Sequence, residues 1–159
     1  MGSVIFISEI FNFYLIVSKL PIYFLVVNCL SMTGKPMVMV ENCINGALQS
    51  LRLNPHAYET SVICVIAYGN NKVSFLEEYT CLNSVQFQKF KCSGYSNINY
   101  GLKAVEDDYN KNYIATTKDK KDDWEPMLFV FSGLAPSTKI DYTLIDFFEE
   151  DFPTDILTM

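Results

Sequence analysis

Hydrophobic residues fall along this chain in two rhythms. Ile22 to Val27 is an unbroken apolar run, Ile-Tyr-Phe-Leu-Val-Val. It does not alternate, so both its faces must be covered, as in a central strand of a parallel sheet. Residues 61–68 and Met127 to Phe131 share that pattern. After Pro36 the rhythm changes. Val40, Cys43, Ile44, Ala47, Leu48 and Leu51 recur every three or four residues, which makes one inward stripe on a helix. Pro36 suits its first turn and Asn54-Pro55 its end. A second helix is predicted from Asn97 to about Ala115. It turns Ile98, Leu102, Val105, Tyr109 and Tyr113 inward and Glu106, Asp107 and Asp108 toward solvent.

Gly69-Asn70-Asn71 is a turn signal, and Lys72 to Tyr79 alternates in part. That pair reads as a hairpin with a wetter edge strand. Thr80 to Tyr95 reads as loop. The order is therefore strand, helix, strand, strand, helix, strand. It predicts an α/β fold with a mainly parallel sheet and one antiparallel edge hairpin strand. In such sheets functional loops gather at the carboxyl ends of the strands. Here those loops begin at Asn28 and Ser132, joined by the turn Gly94 to Asn97.

Two stretches stand apart. Val4 to Val17 is almost wholly apolar, broken by Ser8, Glu9 and Asn12. Met1-Gly2-Ser3 lacks the basic start of a secretory signal, and Glu9 is costly in a membrane span. The segment is expected to cover the domain or to meet another chain, giving a homo- or hetero-oligomer. Membrane attachment through residues 4–17 is the alternative. At the other end, Leu144, Ile145 and Phe148 are followed by Glu149, Glu150, Asp151 and Asp155. This divides the chain into an apolar extension (1–19), a domain (20–140) and an acidic segment (141–159).

A chain of 159 residues fits one domain. A hydrophobic fraction of 50% excludes intrinsic disorder. Twelve Lys plus Arg against eighteen Asp plus Glu gives a net charge of −6, with Arg52 the single arginine. That argues against a nucleic-acid partner. Five cysteines cannot close as disulfides within one chain, and no two have zinc-knuckle spacing. Cys43 and Cys64 sit in apolar runs and are expected to be buried as small hydrophobes. Reduced thiols place the chain in the cytoplasm.

Catalytic chemistry finds little support. His56 is expected on a surface loop, away from the strand-end loops. Glu77-Glu78 and Glu149-Glu150-Asp151 are sequence neighbours, unlike acid/base pairs that face one pocket. Lys118 to Asp123 reads as a solvated charged loop. Gly94-Tyr95-Ser96 lacks the glycine spacing and lysine of a phosphate loop. The chain is read as non-enzymatic, with no catalytic residue. A small thiol enzyme using Cys29, at a strand-to-helix loop, is a further alternative.

Leu20 to Leu25 followed by Ser31-Met32-Thr33-Gly34-Lys35-Pro36 resembles the start of a von Willebrand factor A (VWA) domain. It is most similar to the TerY type found with bacterial tellurium-resistance clusters. Val65-Ile66-Ala67-Tyr68, Ser93-Gly94-Tyr95-Ser96-Asn97-Ile98, Asp123-Trp124-Glu125-Pro126 and Ser132-Gly133-Leu134-Ala135-Pro136 extend the likeness over roughly residues 20 to 140. The resemblance implies a three-layer Rossmann-like fold, here shortened at the C-terminal end.

In that family the three loops hold a divalent cation, Mg²⁺, through one Asp and two Ser of the first loop, a Thr of the second and an Asp of the third. On this chain those positions are Val27, Cys29, Ser31, Ser96 and Gly133. Both carboxylates are missing, and a thiol suits Mg²⁺ poorly. The resemblance thus implies a degenerate metal site, no cofactor, and a protein-interaction module linked to tellurite or stress signalling. Tyr95, Ser96, Tyr100 and Ser132 are the candidate partner-binding residues, since exposed aromatics suit a docking hot spot. The alternative is a Mg²⁺-dependent adhesion-type VWA domain, with Asn28 at the Asp position.

Overall fold

The computed structural model describes residues 18–86, 89–112, 123–132, 141, 143–144 and 147–148. Strand β1 (Leu20–Val27) leads through a 3₁₀ turn (Leu30–Met32) to helix α1 (Lys35–Arg52). A short helix α2 (Pro55–Thr60) precedes β2 (Ser61–Gly69) and β3 (Lys72–Cys81). After a 3₁₀ turn at Leu82–Ser84 come helix α3 (Ile98–Asn112) and β4 (Met127–Phe131). The sheet order is β3-β2-β1-β4. β1 is parallel to both β2 and β4, and β3 runs antiparallel to β2. The mixed α/β fold expected from the strand and helix order is the one observed.

Two of the three unalternating runs are buried as their pattern requires, whereas in β4, the last strand of the sheet order, Met127 is exposed and Phe129 half-buried. Pro21 to Val27 and Ser61 to Gly69 are buried without a break. β1 shares its two edges with β2 and β4, and Phe24 stacks on its register partner Phe129 at 5.4 Å between centroids. The hairpin turn holds Asn70 and Asn71 at φ of 51° and 54°, a left-handed pair that matches the twist of the strands.

Right-handed crossovers between parallel strands, from β1 to β2 and from β2 by way of β3 and α3 to β4, run in opposite directions along the sheet, so α1 and α3 cover opposite faces. The contacts agree. Tyr23 reaches Asp108 of α3, while a Cβ on Gly101 of α3 would come within 2.8 Å of Leu25 and Tyr68. Tyr23, Leu25 and Tyr68 thus face α3. The intervening residues face α1, whose buried stripe is Met37, Val40, Ile44 and Leu48.

Several expectations are corrected. Cys43 is exposed, beside the stripe rather than in it; Cys29 and Cys64 are the buried thiols. Asn54 does not lead into a loop. Its side chain accepts from the backbone amides of His56 and Ala57 and so starts α2. His56 therefore lies on a helix, where its ring meets Trp124 edge-on at 5.6 Å. β3 runs on to Cys81, past the predicted end at Tyr79. Asp108 is buried, not solvated, and accepts from Tyr23 Oη at 2.9 Å. Asp123 is buried as well. It accepts from the Lys19 amide at 2.9 Å, and Trp124 N donates to Lys19 O at 2.7 Å. These bonds tie the entry of β1 to that of β4.

Residues 4–17, Tyr113, Lys118, Gly133 and the acids from Glu149 onward lie outside the described residues. No helix among the described residues is long and apolar enough to cross a membrane.

Candidate functional site

The site is built where β1 and β2 end. Val27 is 2% exposed and apolar. Beyond it, Asn28 N donates to Tyr68 O at 3.0 Å, which carries the parallel ladder one residue further. The segment before α3 then runs beside the β1 loop. Ser93 N donates to Asn28 O at 2.7 Å, and Leu30 N donates to Gly94 O at 3.1 Å. Asn70 N donates to Tyr95 O, which pins the same segment to the hairpin turn. Gly94 makes this approach possible. It sits at φ 61°, and an added Cβ would lie 2.6 Å from Asn70 Oδ1. Gly69 plays the same part against Asn28, whose Oδ1 an added Cβ would strike.

The predicted residues fall into three groups. Cys29 and Ser31 are brought together, with Sγ and Oγ 3.0 Å apart and Cys29 buried. Ser132, at the end of β4, hydrogen-bonds Tyr68. Tyr95 and half-buried Ser96 sit on the pinned segment, and Tyr95 is 87% exposed. Tyr100 does not join Tyr95. It lies in the first turn of α3 and lines a separate hollow of about 390 Å³ with Asn99, Lys103, Asp141 and Thr143.

Sequence reasoning missed Tyr68 and Cys92 as parts of this cluster. Burial pushes the Tyr68 phenol up to about 12; nearby Cys29 adds to the rise and the Ser132 hydrogen bond opposes it. The Cys92 thiol is also raised, first by burial, against a hydrogen bond with Thr33. The usable signal for Tyr68 was its place as the last side chain before Gly69-Asn70-Asn71, where a strand must end beside its neighbours' loops.

The side-chain donors at the end of β1 are thus a thiol, neutral hydroxyls and the Asn28 amide oxygen, which is buried with no hydrogen-bond partner. A hard divalent cation is held chiefly by carboxylates with further oxygen ligands, and this set supplies oxygens but no carboxylate to offset the ion's dehydration. Among the described residues no three His, Cys, Asp or Glu side chains cluster to hold a metal ion. Cys29 and His56 stand at opposite ends of the sheet. The eight steps between the nine residues of β2 span about 26 Å at roughly 3.3 Å each, so the two cannot act as one pair.

Solved structures share this fold. The SpRpn10 VWA domain superposes with a TM-score of 0.60 at 12% identity, covering 89% of this chain and 75% of that one. The fold is that of a von Willebrand factor A domain. VWA2, the ArnB paralog of Sulfolobus acidocaldarius, matches with a TM-score of 0.51 at 17% identity over 89% of this chain. The chain spans about a third of VWA2, 34%. The pilus adhesin SpaC of Lactobacillus rhamnosus GG matches over 73% of this chain with a TM-score of 0.52 at 13% identity. No family model and no curated protein matches the sequence. The likeness to VWA domains is therefore one of fold, and Cys29, Ser31, Tyr95 and Ser132 occupy the strand-end loops of that fold.

Proposed function

We propose that this chain is a non-enzymatic VWA-type protein-interaction module that docks its partner through the strand-end loops without a bridging metal ion. The observation that carries the reading is Tyr95. Its ring is 87% exposed, yet its backbone is held by Asn70 and its neighbour Gly94 by Leu30. A large aromatic on a pinned loop presents contact area at little cost in conformational entropy. The donor set supports the metal-free half of the proposal, since Cys29 Sγ already engages the Ser31 hydroxyl. The order of motifs supports a finer reading, a TerY-like domain acting in the cytoplasm in tellurite or stress signalling.

Two measurements test it. Affinity capture from native extract is expected to lose its bound partner with Tyr95→Ala while an exposed control, Tyr58→Ala, keeps it. Titration calorimetry with Mg²⁺ or Mn²⁺ is expected to show no saturable heat. Partner binding indifferent to Tyr95, or a clear metal isotherm that Ser31→Ala abolishes, would overturn the reading.

A further inference from the structure

Beside the loop cluster, on the α1 face, the structure leaves a trough of about 410 Å³. Its floor is Ala67 and Gly69 of β2, which have little or no side chain to fill it. Register places Ser74 opposite Ala67 and Lys72 opposite Gly69, so β3 raises one wall. Leu76 continues that wall two residues on. The facing wall is the stretch 89–93. It is tethered by Asn28 Nδ2 donating to Lys91 O at 3.1 Å and by Phe90 N donating to Glu41 Oε1 at 3.1 Å. From that wall Lys89, Lys91 and Ser93, at alternate positions, line the trough.

Three lysines therefore converge on one hollow of a chain whose net charge is −6. All three are exposed, and none forms a salt bridge with an acid among the described residues. Glu41 is engaged by Phe90 N on that wall and forms no salt bridge with any of the three. The gathered ammonium groups repel one another, and an anionic ligand relieves that repulsion. We propose that this trough binds an acidic, extended peptide segment of a partner protein, with its carboxylates received by Lys72, Lys89 and Lys91. The proposal names the partner's chemistry under the interaction-module reading and rests on that reading.

The geometry favours a peptide over other anions. Along the wall Lys89, Lys91 and Ser93 are exposed and Phe90 between them is buried, the alternation of an extended stretch, and alternate residues of an extended peptide repeat at about 6.6 Å. Two ligand carboxylates two residues apart then meet two ammonium groups. Ser74, Ser93 and Asn70 supply neutral hydrogen-bonding groups for the ligand backbone. The forked guanidinium that grips phosphate is absent, because Arg52 donates to the carbonyls of Leu82 and Val85. The aromatic in the trough, Phe90, is 8% exposed and offers no open ring face for stacking a base.

The test is fluorescence polarisation of the full chain with a labelled peptide of about eight residues, alternating Asp or Glu with Ser. The expected result is saturable binding that weakens with salt. Lys72→Glu and Lys91→Glu should each weaken it by about tenfold or more, a size expected for reversing a contact charge. The milder Lys89→Gln/Lys91→Gln pair covers the case that charge reversal disturbs folding. Lys35→Glu, on the exposed start of α1, should leave binding unchanged. Tyr58→Ala, exposed on α2, should also leave it unchanged. The loop hot spot is read by affinity capture with Tyr95→Ala and the trough by peptide polarisation with the lysine variants, so the two fail separately. No saturation at millimolar protein, equal weakening by Lys35→Glu, or tighter binding of oligothymidylate than of the peptide would overturn the proposal. So would displacement of the peptide by inorganic phosphate at equal concentration.

Discussion

The two faces of the sheet pack against helices that carry the same local pattern, with opposite results. In α1 a residue three positions after buried Val40 and one before buried Ile44 is Cys43, and it is exposed. In α3 the residue three after Val105 and one before Tyr109 is Asp108, and it is buried. Each sits about 100° around the helix from the residue that follows it, at the margin of the stripe. The difference lies in what faces the margin. Gly101 lets α3 approach β1 and β2 so closely that a Cβ would meet Leu25 and Tyr68 at 2.8 Å. That approach covers the margin and puts Asp108 within reach of Tyr23. On α1, Gly46 is exposed and lies off the buried stripe, so no glycine of that helix meets the sheet in this way. Burial at the edge of the α3 stripe thus follows from a close approach between layers, which the sequence of one helix does not carry.

The comparison makes the α1 face an apolar interlock and the α3 face a mixed one. The largest expected effect falls on the apolar face. Ile44 is fully buried at 0% exposure, so Ile44→Ala should cost about 2–5 kcal/mol through lost burial and the cavity left behind. Chemical denaturation reads this as a lower midpoint at unchanged slope. A cost below about 1 kcal/mol would show that α1 is loosely seated and erase the contrast.

On the mixed face, Tyr23 Oη donates to Asp108 Oδ2 at 2.9 Å, deep between α3 and the sheet. Tyr23→Phe should cost about 1–3 kcal/mol, because it leaves the buried carboxylate one donor short. The Tyr23 phenol is itself held above its ordinary range, first by burial and then by Asp108. The Asp108 carboxyl is raised mainly by burial, against hydrogen bonds from Tyr23 and Asn112, with Glu78 adding to the rise and Lys111 opposing it. Cys64 and Tyr79 complete its titratable surroundings.

The pH dependence follows from that direction. The folded state binds the Asp108 proton more tightly than the unfolded state does. Asp108 therefore favours folding fully below the ordinary carboxylate pKa of about 3.9, and that contribution fades as pH rises through its raised folded value. Asp108→Asn keeps an acceptor for Tyr23 and has no charge to bury. It should stabilise the protein at neutral pH by on the order of 1 kcal/mol. The advantage should shrink as pH falls toward about 4. Urea midpoints of both proteins from pH 4 to 8 check it. An advantage that grows on acidification would mean that the native site prefers the carboxylate.

The same contrast explains how far the sequence could be read. Ile22 to Val27 is a strand with no surface position, visible residue by residue. Met127 to Phe131 reads the same way in sequence, but on the outer strand β4 Met127 is exposed and Phe129 half-buried. The hairpin was visible in Gly69-Asn70-Asn71, since asparagine tolerates positive φ. The loops at Asn28 and Gly94 were visible as candidates through their motifs. Their mutual bonding, Asn28 to Ser93 and Asn70 to Tyr95, was not. Nor was the separation of Tyr100 from Tyr95, because a five-residue spacing that crosses a helix start has no fixed direction. The lysine trough was the least visible. Lys72, Lys89 and Lys91 meet only through a β3 register and a loop tether, neither of which leaves a local signature.

The smallest expected effect is at Cys43. Exposed on α1 and outside the stripe, it should tolerate Cys43→Ser within about 0.5 kcal/mol. Its value is as a reporter. With Cys43 present, a thiol reagent should consume it first, because Cys64 is 1% exposed and burial raises its thiol well above the usual range. In Cys43→Ser the fastest phase should vanish, leaving slower labelling of half-buried Cys81 and Cys92, while Cys64 should react only on unfolding. Rapid labelling of Cys64 in the native state would place an opening motion on the α3 face. The mixed face would then be the weaker of the two, and the order of the predicted stabilities would reverse.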